Sequence, residues 1–323
     1  MSLKQYNSLI LHYTEKYPKL NNTNLADILK KEENLPSSIN LSALRKHIGR
    51  IKVKKQKHVP FFSLNIGCYH FPFHHKPQWE ATVHLTHWLG KRVTLDVNLN
   101  GDMMDMNSIS RHGKGKKAKV VGLTLTEEYK QGNLELDKIQ SANIRNKRYL
   151  YGNHENWYHV HMSEIDNAKL GEGVIKSPKE ALNLEERGYE VFTDYVNDHY
   201  FIGNLLVTHG SYFNTHAAQK HLEAYKQNVL FFHTHRMQSF TDSGQNGTIS
   251  AYNAGCGVDR KAVVFNYADQ ATRARWEQGL SITFTDETGH THVDLLHWKN
   301  EQFIYMGHQF TKSGVISLFN KTR

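Results

Sequence analysis

The sequence predicts an α/β fold preceded by a small helical segment, and three observations carry that expectation. From residue 58 onward, short apolar runs of strand length alternate with loops and helix-like stretches. Several of those runs end in polar, chemistry-bearing residues, as strands do where an open α/β sheet gathers its ligand. The first 57 residues have another texture, with apolar side chains recurring at helical spacing.

In that first segment, Tyr6, Leu9, Ile10, Tyr13 and Tyr17 mark one helix. Leu25, Ile28 and Leu29 mark a second, with Thr23 or Asn24 as its N-cap, and Leu41, Leu44, Ile48 and Ile51 a third capped by Asn40. The third runs into "RIKVKKQK", where Arg50, Lys52, Lys54, Lys55 and Lys57 crowd together. Three short helices with a basic third fit a helix-turn-helix module, although the "ENLPSSIN" connection is longer than the usual tight turn. A helical extension with a solvated basic linker fits the same residues. The boundary is set at 57, giving domains 1–57 and 58–323.

In the second domain, "VPFFSLNI", "VTLDVNL", "KRYLYG", "LLVTHG" and "VLFFHTH" read as strands. "LGEGVIKSPKEALNLEERG" reads as a loop followed by a helix. "LSITFTDE", "HVDLLHW" and "QFIYMGHQF" alternate between turn residues, which predicts antiparallel strands closing a sheet.

Composition narrows the function classes. A chain of 323 residues with 39% hydrophobic content can bury a real core, so wholesale disorder is excluded. Forty Lys and Arg against 31 Asp and Glu give a formal charge of +9, which favours an anionic partner, nucleic acid ahead of a membrane surface. Two cysteines far apart, a polar N-terminus and no long apolar run predict a reduced, cytoplasmic protein with no membrane segment (host cytoplasm, if a phage encodes it).

Five strand-end segments hold the candidate chemistry: "CYH" (68–70), "GDMMD" (101–105), "GNHE" (152–155), "THG" (208–210) and "FHTH" (232–235). Each alone has an ordinary reading. Gly-Asp caps helices, Asn-His after glycine makes turns, and a lone histidine at a strand end is usually a satisfied polar group. Together they supply carboxylate, amide and imidazole donors that suit a pair of borderline divalent ions. Two such ions about 3.5–4 Å apart can bind a phosphate ester and generate a hydroxide to attack it.

In this order the segments resemble the calcineurin-like metallophosphoesterases, whose pattern is D-x-H, GD-x-x-D, GNH-[DE], H and G-H-x-H. The likeness spans about residues 58–310 and leans towards the phage and bacterial branch of phosphoesterases and DNA-repair exonucleases. It implies a four-layer α/β/β/α sandwich of two mixed sheets. It also implies two divalent ions, manganese first, with zinc or iron as alternatives. His70 and His235 would bind the first ion, Asp102 would bridge both, and Asn153, His209 and His233 would complete the second. His154 would serve as general acid or electrostatic stabiliser, while Asp105 and Glu155 would orient ligands.

Cys68 stands where the family has its first aspartate, His75 where relatives often carry Asp, and Phe232 where they carry glycine. Cys68 can act as a thiolate ligand, or leave a gap for His74, His75 or water, or mark an inactivated site. The thiolate would favour softer ions than magnesium. Cys256 reads as a buried cysteine near the sheet edge.

The loop after the second motif holds Arg111, His112, Lys114 and Lys116, candidate substrate contacts at the mouth of the site, or else a solvated loop. Arg260, Lys261, Arg273 and Arg275, with Tyr267 and Trp276 among them, could stack bases, or form a packed helix end. The expectation is therefore a metallophosphoesterase cutting DNA as a phosphodiesterase or nuclease. The alternatives are a phosphomonoesterase acting on phosphoprotein or a small ester, and a DNA-binding protein with a degenerate site. The nuclease relatives further imply a homodimer.

Overall fold

A computed structural model describes residues 6–17, 21–33, 35–36, 39–55, 59–110, 123–164, 175–244, 247–262 and 268–319. The chain forms two compact units, Met1–Val59 with Asp286–His290, and Pro60–Thr285 with Thr291–Arg323. Among the described residues, no helix is long and apolar enough to cross a membrane.

The first unit contains helices α1 (Asn7–Lys16), α2 (Asn22–Glu32) and α3 (Leu41–Lys55). Ile10, Tyr13, Leu25, Leu29, Leu44 and Ile48 form its core, as helical spacing requires. The cap of α2 differs from expectation: Asn21, in extended backbone, accepts from the Asn24 amide, so Thr23 and Asn24 lie inside the helix. Asn40 does cap α3, accepting from the amides of Ser42 and Ala43. The side chains of Arg50, Ile51, Lys52, Lys54 and Lys55, and all of Lys57, lie outside the described residues.

The second unit is mixed α/β, with two mixed sheets and several helices. Its larger sheet contains β1 (Phe61–Ile66), β2 (Leu95–Asn100), β3 (Asn146–Leu150), β4 (Tyr189–Phe192), β10 (Gly279–Thr285) and β11 (Thr291–His297), in the order β11-β10-β1-β2-β3-β4. The four strands from β1 to β4 are parallel, and β10 and β11 are added antiparallel, closing this sheet on one side. The second sheet orders β5 (Tyr200–Ile202), β6 (Leu205–Val207), β7 (Val229–Phe231), β9 (Gly247–Ala254) and β8 (Met237–Gly244) as β5-β6-β7-β9-β8. "QFIYMGHQF" does not join either. It supplies β12 (Phe303–Tyr305) and β13 (His308–Thr311), which pair with β14 (Gly314–Ser317) in a separate antiparallel sheet.

Strand alternation divides the larger sheet into two faces. Leu64, Ile66, Leu95, Val97, Leu99, Leu280 and Ile282 point into one core with Trp79, Leu85 and Leu89 of α4 (Lys76–Gly90) and Leu136 and Ile139 of α5 (Leu125–Gln140). Each such side chain, fully buried, contributes about 1.5–3 kcal/mol. A second core joins Phe61 and Leu150 to Tyr200, Val207, Leu230 and Ala254 of the other sheet and to Phe232, just past β7. The helix Ala217–Tyr225 covers that sheet with Ala217, Ala218 and Leu222 against Leu206, Val229 and Phe231.

The expected helix within "LGEGVIKSPKEALNLEERG" shrinks to Pro178–Ala181 and is followed by turns, while residues 165–174 lie outside the described set. Strands β1, β2, β6 and β7 all run out toward the segments that carry the histidines and Asp102.

Candidate metal centre

Where β1 ends, the chain turns through left-handed backbone at Cys68 and His70. Asp102, after β2, and His233 and His235, after β7, do the same. Among the described residues, five of the eleven non-glycine residues with positive φ are thus candidate ligands. That conformation costs about 1–3 kcal/mol for each such residue and persists where surrounding contacts enforce it, typically at functional sites. The contacts are present: Cys68 donates its amide to Gly101 O, His70 to Asp102 O, and Gly257 to Cys68 O. Glycine is needed at 152 for room, since a Cβ there would collide with the Asp102 carboxylate.

The donor atoms converge in three groups, each with its members within 4.8 Å of one another: Cys68, His70, Asp102 and His235; Asp102, His209 and His233; and His70, Asp105 and His154. Asp102 belongs to both of the first two. Its Oδ2 lies 3.1 Å from His209 Nε2 and 3.9 Å from His70 Nε2. Asn153, which opens α6 (Asn153–Met162), places its Oδ1 2.9 Å from His233 Nδ1 and 3.3 Å from His209 Nε2. All seven residues expected to bind metal are thereby gathered in one place. His74 and His75 are not among them. His74 packs against Phe71 and Trp79, and His75 caps α4 by accepting from the Gln78 amide.

Backbone and carboxylate partners fix how the imidazoles face. His209 Nδ1–H donates to Asn100 O at 2.8 Å, and His70 Nδ1–H to Asp105 Oδ1 at 3.0 Å. Each thereby turns an Nε2 lone pair inward, as partners of ligating histidines do. His70 Nε2 then faces His235 Nε2 at 3.1 Å. With its proton on Asp105, His70 accepts at Nε2 from the Nε2–H tautomer of His235, and in the other tautomer the two lone pairs would face a shared cation. Nitrogen ligands about 2.1 Å from one divalent ion lie roughly 3.0–3.4 Å apart, so the observed spacing suits shared coordination.

The electrostatics agree with that fit. Burial pushes His70 and His233 down to about 4 and His235 well below the usual range, which keeps them neutral near pH 7. Burial works to raise the Asp102 carboxyl, but His209, His154 and His70 outweigh it and hold Asp102 well below its ordinary value. Burial likewise works against protonated His209, and Asp102 against its ring raises it. Buried lone pairs around one carboxylate make a strong site for divalent cations. Cys68 is the exception. Burial, with Asp102 adding to it, pushes its thiol well up, opposed by the His233 amide donating to Sγ at 3.3 Å. A cation bound beside it would favour the thiolate further.

The supporting residues are equally specific. Glu155 accepts from the amides of Asp102, Met104 and Gly152 and from the Tyr149 hydroxyl, each at 2.9 Å, and so clamps the second motif to the third. His154 donates Nδ1–H to Asp105 O at 2.6 Å and lies against the Trp157 ring, their centroids 3.9 Å apart. Burial pushes Asp105 up to about 7.

Arg111, His112, Lys114 and Lys116 lie outside the described residues, as does Tyr267. Trp276 is not a free stacking surface. It is buried edge-on to His235, centroids 4.6 Å apart, after the short helix Gln270–Ala274. Cys256 is fully buried, its thiol facing Glu277 O at 3.5 Å. Sequence reasoning missed Tyr149 and Asn100, because neither the clamp nor the backbone acceptor has a local motif. It also missed Tyr195, whose ring meets His209 edge-on and whose hydroxyl donates to Gly210 O. No family model matches this chain, and neither does any curated protein.

Proposed function

We propose that this protein is a metal-dependent phosphoesterase of the calcineurin-like type, cutting phosphodiesters in DNA. The observation that carries the reading is Asp102, a buried carboxylate common to two donor groups that meet at the ends of separate strands. The core shared by the two sheets, with helices packed on each, supports a four-layer α/β/β/α arrangement as the scaffold. Cys68, His70, Asp102 and His235 would hold one divalent ion, and Asp102, Asn153, His209 and His233 the other. Such a pair supplies Lewis acidity and charge neutralisation for displacement at phosphorus.

The chain's own residues would do the rest. Asp105 and the Asn100 carbonyl keep His70 and His209 facing inward. His154, held through Nδ1, would act on the leaving oxygen through Nε2. Burial lowers its pKa, so it would be an electrostatic stabiliser, and a general acid, a role worth about 10²–10⁴-fold, only once a substrate phosphate restores the imidazolium. The formal charge of +9 favours a polyanionic substrate over a small ester. The sulfur donor tilts the first position from Mg²⁺ towards Zn²⁺ or Fe²⁺.

Cys68 also favours a second reading, a DNA-binding protein whose site has lost activity, because burial opposes its ionisation. Hydrolysis of bis(p-nitrophenyl) phosphate with Mn²⁺, Zn²⁺, Fe²⁺ or Mg²⁺ separates the two. Turnover that disappears in His154→Ala supports the enzyme. An inert native protein made active by Cys68→Asp supports the degenerate site.

A further inference from the structure

We propose that the loop Ser211–His216 is a stacking platform for an unpaired nucleobase beside the metal centre, so that the preferred ligand is single-stranded nucleic acid. The inference rests on the phosphoester reading and adds a strand preference to it.

The loop leaves β6 directly after His209 and Gly210, and Phe213 follows His209 by four residues. Its Cα therefore lies within about 14 Å of the candidate ligand's. Phe213 is 75% exposed and Tyr212 38% exposed. Two neighbouring rings left open to solvent offer apolar area that a stacked base would cover.

The loop is also pinned. The Ser211 amide donates to His221 Nε2, Arg236 Nη1 to Asn214 O, Gln238 Nε2 to Thr215 O, and the Tyr195 hydroxyl to Gly210 O. The Tyr212 ring meets His221 edge-on, centroids 5.0 Å apart. Phe213 is thus presented by a fixed backbone at little entropic cost to a ligand.

Charge selects the occupant. Residues 208–222 contain no carboxylate. Arg236, next to His235, links the ligand segment to the loop through Nη1. A cation one residue from the proposed phosphate-binding centre, tied to the loop that carries an exposed ring, suits a backbone phosphate whose neighbouring base stacks, and stacking tolerates any base. In a duplex the base faces are already stacked, so the ring offers nothing to them.

Fluorescence anisotropy on the full chain in Mn²⁺ tests this. The probes are a phosphorothioate-linked ten-residue oligothymidylate, its abasic counterpart and a blunt duplex of the same length. The oligothymidylate is expected to bind about fivefold or more tightly than the abasic strand or the duplex. Phe213→Ala should erase that difference while leaving abasic affinity intact, and Phe213→Trp should keep it. Equal affinity for base-bearing and abasic strands in the native protein, or a loss in Phe213→Ala shared by both, would overturn the platform. The small diester assay keeps the two ideas apart. Native turnover without base dependence removes the platform and leaves the hydrolase. Base-dependent binding lost in Phe213→Ala, with no turnover in any metal, does the reverse.

Discussion

Strand β2 carries a buried aspartate at each end, and the two have opposite surroundings. Asp96 lies near its start. Arg145 grips it bidentately, Nε and Nη2 each at 2.8 Å, and Asn146 and Arg148 add further donors at 3.2–3.4 Å. Its charge is balanced within the protein. Asp102, just past the other end, accepts the His154 amide and otherwise faces the imidazoles of His70 and His209. Burial alone does not mark function. What separates the two carboxylates is whether the neighbours bring protons or lone pairs.

The same substitution at both ends should split stability from ligation. Asp102→Asn removes the donor common to both proposed metal positions. Turnover should fall by at least about a thousandfold, beyond the 10–100-fold that losing a ligand's supporting partner costs. Metal content measured on the purified protein should fall with it. Asp96→Asn should leave metal content unchanged and lower the urea-unfolding free energy. Breaking a fully buried pair costs about 3–5 kcal/mol, and the figure here should be nearer about 2–3 because the Arg145 side chain is 36% exposed and can rehydrate. If Asp96→Asn also lost metal, the contrast would be wrong.

Glu155→Gln probes the link between chain folding and ligand placement at smaller scale. The four donors that converge on Glu155 include the Asp102 amide itself. Glutamine can accept from some of them but turns an NH₂ toward the rest. A loss of about 10–100-fold in kcat/KM is expected, with metal affinity reduced and the fold retained. Unchanged kinetics would mean that the clamp is redundant.

Much of this was legible in the sequence, and the failures have identifiable causes. The strand runs and the ordered His, Asp and Asn residues were readable because each motif is local. The polar half of the alternation was not. Ser63, Asn65, Asn98, Asn100 and Thr283 alternate as solvent-facing residues would, yet all are buried, with Asn98 donating to Asn65 and the Tyr200 hydroxyl to Asn100. A period of two gives the face but not what covers it. The left-handed turns at Cys68, His70 and Asp102 have little sequence signal either, since that region is uncommon for any residue but glycine, even for Asp and His, which enter it more often than most. Nor could spacing place His70 against His235 across 165 residues. At α2, the run "NNTN" offers several caps of equal chemistry, and only the extended backbone of Asn21 decides among them.

His74 is a third case, buried with neither a saturating donor set nor a place in the candidate donor cluster. Among the described residues neither ring nitrogen has a hydrogen-bond partner of normal geometry, and Glu135 stands off at 3.7 Å. Lys138, 2.6 Å from the same carboxylate, absorbs its charge. Burial, with Lys138 and Lys76 adding to it, pushes His74 down to about 3 from its ordinary 6.5. The folded ring is therefore neutral where the unfolded one binds a proton, so its linkage term is flat above pH 6.5. Stability must then fall as pH drops through the window from 6.5 to about 3. The loss is about 1.4 kcal/mol per unit, or about 2 kcal/mol at pH 5. His74→Phe keeps an aromatic ring beside Phe71 and Trp79 and removes the titration. Its urea-unfolding free energy should decline less between pH 7 and pH 5 than that of the native protein, by that same amount. Comparing slopes rather than absolute stabilities removes any packing cost of the larger ring. Parallel slopes would mean that His74 stays charged inside the fold, with Glu135 rather than Lys138 setting its field.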